Sequence, residues 1–147
     1  MITEILKEKT SADHLLYVSM KYTKTCDVIL NLISRWKSMM DMSFDAMIAK
    51  AYEDKVIKKM PNSPKEKIEF IRTYFKKQKA VQEALPVYVF FKRIPELQKT
   101  REGEFRKNVN LKIIEPNKVT DINLEKLKEY SELLERFISD IKLFLSS

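Results

Sequence analysis

One stretch of the sequence, TREGEFRKNVNLKII from Thr100 to Ile114, has residue types that could bind an anion. It contains the only glycine of the chain, Gly103, and three closely spaced cations. Arginine near aromatic rings is the usual combination for clamping phosphate and stacking on bases. The alternative interpretation is a plain connection, in which Gly103 ends a helix and the arginines are solvated. The candidate residues for phosphate or nucleic-acid binding are Arg93, Lys99, Arg101, Arg106 and Lys107.

Other chemistries have few candidates in this sequence. A zinc site needs several nitrogen or sulfur ligands, and the chain has one histidine, His14, and one cysteine, Cys26. A glycine-rich phosphate loop cannot be built with a single glycine. Asp41 and Asp45 are four residues apart and could hold a divalent cation, but the polar face of an amphipathic helix is the favoured interpretation. We therefore expect no metal site and no cofactor.

The pattern resembles the HEPN superfamily of prokaryotic helical-bundle proteins. The resemblance depends on an early helical stretch, SADHLLYVSMKYTKTCDVIL, and on REGEFRKN, where Arg101 is followed after six residues by Asn108. Many members are RNA-cutting toxins or helical partners of nucleotidyltransferase-like antitoxins, with Arg-x4-6-His on a late helix. The resemblance implies Arg101 and Asn108 as candidate catalytic residues. Asparagine stands where the family motif has histidine, and its amide cannot relay a proton at neutral pH as imidazole does.

Composition and charge indicate a helical protein with a basic middle third. The chain has 147 residues, 44% hydrophobic and 33% charged, and a net charge of +7. We expect one domain, 1–147, and a few long helices, because sheet-rich folds need more glycine for their turns. The longest uncharged run is too short to span a bilayer, and one cysteine excludes an intramolecular disulfide, so we expect a cytoplasmic protein without membrane contact. The positive excess lies in residues 61–108.

The first predicted element is a long helix over residues 11–60. Apolar residues recur there every 3.6 residues from Leu15 through Val18, Tyr22 and Cys26 to Ala51, with Trp36 on the same stripe. The pattern allows one long bent helix or two helices that meet near KSMMDMS, with Ser11 or Asp13 as the N-cap. Methionines 39, 40, 42 and 47 fit core filling better than an adaptable binding surface.

The later elements have clearer boundaries. Ser63, Pro64 and Glu66 predict a capped helix start, and residues 86–100 predict a buried helix that is kinked or restarted at Pro95. Alternating residues from Val109 and a turn at Pro116 predict a small β-hairpin over 109–122, or an extended irregular loop, packed on the helices. A last helix follows the N-cap Asn123. The predicted fold is therefore all-α, an up-down helical bundle with a long first helix and this hairpin.

Two functions from different classes follow from the sequence. The first is a non-catalytic interaction protein, a homodimer or the partner of another helical protein, whose basic middle segment contacts RNA or an acidic partner. The second is a HEPN-type ribonuclease with the degenerate Arg101 and Asn108 pair. The long apolar stripe motivates the first, and the resemblance motivates the second.

Overall fold

The computed structural model describes residues 2–147, which form six helices and one small sheet. The chain starts with α1, Ile2–His14, which continues through a π-helical turn, Leu15–Ser19, into the single turn of α2, Met20–Tyr22. The other helices are α3, Cys26–Glu53; α4, Pro64–Tyr74; α5, Lys79–Arg93; and α6, Leu124–Ser146. A 3₁₀ turn, Ile94–Glu96, ends α5.

A three-stranded antiparallel sheet lies between α5 and α6 in the sequence. Its strands are β1, Gln98–Glu102; β2, Asn110–Glu115; and β3, Lys118–Asn123, in the order β1-β2-β3. The fold prediction is therefore confirmed in part: the chain is mostly helical and the hairpin is present as β2 and β3 joined at Pro116 and Asn117, but β1 adds a third strand, so the fold is not purely all-α. A three-stranded sheet needs only two connections, so the scarcity of glycine does not exclude a sheet of this size. The up-down bundle stays a prediction.

The long first helix is interrupted much earlier than the sequence suggested. The break lies at Thr23–Thr25, where Thr23 is extended and the side chain of Thr25 accepts a hydrogen bond from the Val28 N–H at 3.3 Å. Helix α3 then runs unbroken through KSMMDMS. Ser11 and Asp13 are not caps, because both lie inside α1.

The π-helical turn changes which residues face the core. A π turn inserts one extra residue, so the apolar positions before and after it fall on different faces. Leu16 and Met20 are buried, whereas Val18 and Tyr22, which we placed on the buried stripe, are exposed. The stripe from Cys26 to Ala51 is confirmed, and Trp36 is buried and stacks on Phe91 at a centroid distance of 6.1 Å.

The predicted helix starts at Ser63 and Asn123 are confirmed. The Ser63 hydroxyl accepts from the Glu66 N–H at 3.1 Å, and the Asn123 side chain accepts from the Lys126 N–H at 2.8 Å. The helix predicted over 86–100 is only partly correct. Helix α5 begins at Lys79, includes Pro86 in its interior, and gives way to β1 before residue 100.

One hydrophobic cluster joins the helices to the sheet. The buried face of the sheet supplies Leu111, Ile113 and Ile122 to it, while β1 is mostly exposed. In residues 2–147 no helix combines the length and apolar character that a membrane crossing needs.

Candidate nucleic-acid interface

The connection between β1 and β2 lies against the junction between α2 and α3. The Phe105 N–H donates to the carbonyl of Lys24 at 2.7 Å, and the thiol of Cys26 donates to the carbonyl of Asn110 at 3.3 Å. The Cys26 N–H lies 3.3 Å from each carboxylate oxygen of Glu104. Two segments that are far apart in sequence are thus fastened together at the start of α3.

Gly103 is required at this connection for two reasons. Its φ angle is +63°, in the left-handed region that favours glycine. A Cβ added there would lie 2.6 Å from the carbonyl oxygen of Asn108, so the chain passes too close for any side chain. The glycine therefore sits in a tight loop, and the prediction that it ends a helix is wrong because β1 precedes it.

Phe105 combines an unfavourable backbone with an exposed ring. Its φ angle is +66°, which is unusual for a bulky residue, and 77% of the residue is exposed. Tyr22, two residues before the Lys24 carbonyl that holds the loop, is 78% exposed. Two exposed aromatic residues thus lie in the two chain segments that this backbone hydrogen bond joins.

Four cations accompany these two rings. Lys21 and Lys24 lie beside Tyr22, and Arg106 and Lys107 directly follow Phe105. None of the four pairs with a carboxylate within residues 2–147. We call this set the basic-aromatic surface: Lys21, Tyr22, Lys24, Phe105, Arg106 and Lys107.

The other three candidate cations are already engaged within the protein. Arg93 pairs with Glu115 at 2.9 Å. Lys99 donates to the carbonyls of Ile94 and Leu97, both at 2.7 Å, at the end of the 3₁₀ turn. These two residues therefore support the fold where α5 meets the sheet. Of the five candidates, only Arg106 and Lys107 belong to the basic-aromatic surface.

Arg101 lies on β1 and bridges that strand to α3. Its guanidinium is 2.8 Å from Asp27 and 3.8 Å from Glu104. The hydrogen bond to Asp27 raises the pKa of Arg101. Asn108 lies in the loop with its backbone against Gly103. Neither residue lies on a late helix, as the family motif would require, and their nearest interactions serve the loop.

The remaining candidates have structural surroundings. Cys26 is buried, and this burial, with the nearby Glu104 carboxylate, raises the pKa of its thiol to about 11. A thiol with such a pKa is protonated at neutral pH and is a poor nucleophile. Asp41 pairs with Lys37 at 2.7 Å, and Asp45 pairs with Lys67 at 3.0 Å.

The side chains that could ligate a metal are dispersed in the part of the chain that the structure describes. Among residues 2–147 no three His, Cys, Asp or Glu side chains are grouped as metal ligands would be. His14 is exposed at the end of α1. The arrangement at the start of α3 offers a ligand exposed aromatic residues and cations.

Comparison with models of known families, with curated proteins and with solved structures finds no match for this chain. The resemblance to the HEPN superfamily stays a prediction. The site must therefore be interpreted from its own geometry.

Sequence reasoning missed half of the basic-aromatic surface. Lys21, Tyr22 and Lys24 lie about 80 residues before the loop, and Tyr22 was expected to be buried. The prediction applied the 3.6-residue repeat of a regular helix across the π turn and the helix break. A usable signal was present at Thr25, since threonine followed by Asp27 is a common start of a helix.

Proposed function

We propose that this protein is a non-catalytic binding module that holds single-stranded RNA on its basic-aromatic surface. Proteins that bind single strands combine cations that follow the backbone with rings on which bases stack. The surface offers four cations that have no carboxylate partner within residues 2–147, and two aromatic residues that are more than three-quarters exposed. The carboxylates of Asp27 and Glu104, at the start of α3 and in the loop, both pair with Arg101.

The exposed Phe105 in a left-handed backbone conformation carries the proposal. A strained residue is retained when the surrounding structure or a function requires it. The ring contributes little to the core, because it is exposed, and a glycine or asparagine would fit the backbone better. A function at the surface accounts for a phenylalanine at this position.

Fluorescence anisotropy with a labelled oligouridine tests the proposal. Because stacking on a ring contributes about 1–3 kcal/mol per base, we expect Phe105→Ser and Tyr22→Ser each to weaken binding by about 5- to 150-fold. The matched control is Tyr74→Ser on α4, since Tyr74 is also exposed but stacks on Phe70 at 4.4 Å. Equal losses in all three variants, or no binding by the wild type, would overturn the proposal.

The ribonuclease alternative is tested with the same RNA. Incubation followed by gel analysis should show intact RNA with both wild type and Arg101→Ala. Cleavage that is lost in the mutant would favour a HEPN-type enzyme that uses Arg101 and Asn108. If the protein binds no RNA but does bind an acidic protein, the basic segment contacts an acidic partner instead of RNA.

The homodimer stays part of the proposed function. The apolar stripe from Cys26 to Ala51, which suggested a dimer, gives it less support, because the stripe is buried within the chain itself. The apolar residues that remain exposed nearby include Tyr17 and Val18 on the π-helical turn. Light scattering at micromolar concentration decides between a monomer and a dimer.

A further inference from the structure

A second site is independent of the basic-aromatic surface. A cavity of about 300 Å³ opens between α3, α4 and α5. This volume is at the lower end of the range for small-molecule pockets in proteins, which are mostly apolar with a few polar groups. We propose that the cavity binds a small organic anion with a short aliphatic body.

The floor of the cavity is apolar and well ordered by packing. Phe44, Ile71 and Leu85 are buried in the core, and Ile68 is partly buried on α4. Phe44 meets Tyr88 edge to face, with ring centroids 4.9 Å apart. An aliphatic chain placed on this floor would be removed from water, which is favourable in proportion to the area covered.

The carboxylates at the rim are already satisfied by the protein. Asp41 accepts a hydrogen bond from the Tyr88 hydroxyl and pairs with Lys37 at 2.7 Å. Asp45 pairs with Lys67 at 3.0 Å. A cationic ligand would have to compete with these lysines, so the two aspartates do not favour one.

Lys92 is the charge at the rim that lacks a carboxylate partner among residues 2–147. Its ammonium group lies over the ring of Tyr88, 5.3 Å from the centroid, at a distance where a cation is attracted by the ring. The ring holds the ammonium beside the cavity and leaves its N–H donors available. A carboxylate is the complementary group, because its hydrogen bonds with an ammonium are charge-assisted.

The charge of the ligand is tested with three probes that share one tail. Octanoate, n-octylammonium and octanol are titrated into methyl-labelled protein and followed by NMR. We expect octanoate to bind most tightly and to shift the methyl signals of Ile68, Ile71 and Leu85. The methyl signals of Leu143, an exposed residue on α6, serve as the control. Tighter binding of octylammonium, or equal binding of octanol, would overturn the assignment.

The role of Lys92 is tested by substitution. Lys92→Met keeps the apolar stem and removes the charge, so octanoate affinity should fall about tenfold while octanol affinity is unchanged. Lys77→Met, outside this cavity, is the matched control. Ile68→Trp should fill the space and abolish binding of all three probes, with circular dichroism to check folding. Unchanged octanoate binding in both Lys92→Met and a folded Ile68→Trp would rule the site out.

Discussion

At the scale of single residues, Gly103 shows most directly how the fold fixes a residue type. Gly103→Ala places a methyl group 2.6 Å from the Asn108 carbonyl and keeps a φ of +63°. We expect the free energy of unfolding to fall by at least about 1–2 kcal/mol, the usual penalty for an L-residue in the left-handed region. Urea denaturation measures the change.

Gly103→Asn separates the two causes. Asparagine tolerates a left-handed backbone, but its Cβ would meet the same carbonyl oxygen. If close approach dominates, both variants lose similar stability. If only the φ angle matters, Gly103→Asn should be clearly more stable than Gly103→Ala.

The buried thiol of Cys26 predicts a pH dependence at the same scale. Its pKa is raised from the ordinary 9.0 to about 11 by burial, so the unfolded chain loses this proton at lower pH than the folded chain. The contribution of the protonated Cys26 thiol to the free energy of unfolding is fully present below pH 9, and it is lost as the pH rises towards 11. Comparison of urea unfolding between wild type and Cys26→Ala over this range isolates the effect, because other groups titrate in both proteins. A constant difference between the two would contradict the prediction.

At the scale of elements, the start of α3 depends on a residue from another element. The Glu104 carboxylate accepts from the N–H of Cys26, the first residue of α3, where a negative charge is favourable. Glu104→Gln should therefore lower the free energy of unfolding by about 0.5–1 kcal/mol, with the loss reduced at high salt. Glu102→Gln is the matched control, since the Glu102 carboxylate pairs with Lys112 at 3.6 Å and accepts a hydrogen bond from the Asn110 side chain at 3.1 Å, both within the sheet. Similar losses in both variants would argue against this capping role.

The elements also show which features sequence can predict. Local signals placed the starts at Ser63 and Asn123 and the hairpin turn, because these depend on residues within four positions of each other. Strand β1 was not predicted because it is a polar edge strand in which only one residue is even partly buried. Its pairing partner β2 also lies beyond the loop in sequence. The sequence indicated only the loop half of the basic-aromatic surface, because its two halves are distant in sequence. The surface forms only when the loop meets the junction before Cys26.

At the scale of the whole molecule, the positive charge is spread over separate surfaces. Residues 61–108 contribute Arg106 and Lys107 to the loop after β1, and Lys76, Lys77 and Lys79 to a group at the joint of α4 and α5. Both groups carry cations that a general electrostatic attraction to nucleic acid would use equally. Only the loop group lies beside the exposed rings of Tyr22 and Phe105.

The salt dependence of RNA binding distinguishes a specific surface from general attraction. With four cations on the surface, the logarithm of the affinity should fall with the logarithm of the salt concentration with a slope of about −3, since each phosphate contact on a single strand contributes about −0.7. The double variant Arg106→Gln, Lys107→Gln should reduce this slope by about 1.4. Lys76→Gln, Lys77→Gln removes the same charge from the other group and should leave the slope nearly unchanged. If both double variants change the slope equally, RNA is held by net charge, and the rings at the start of α3 have another role.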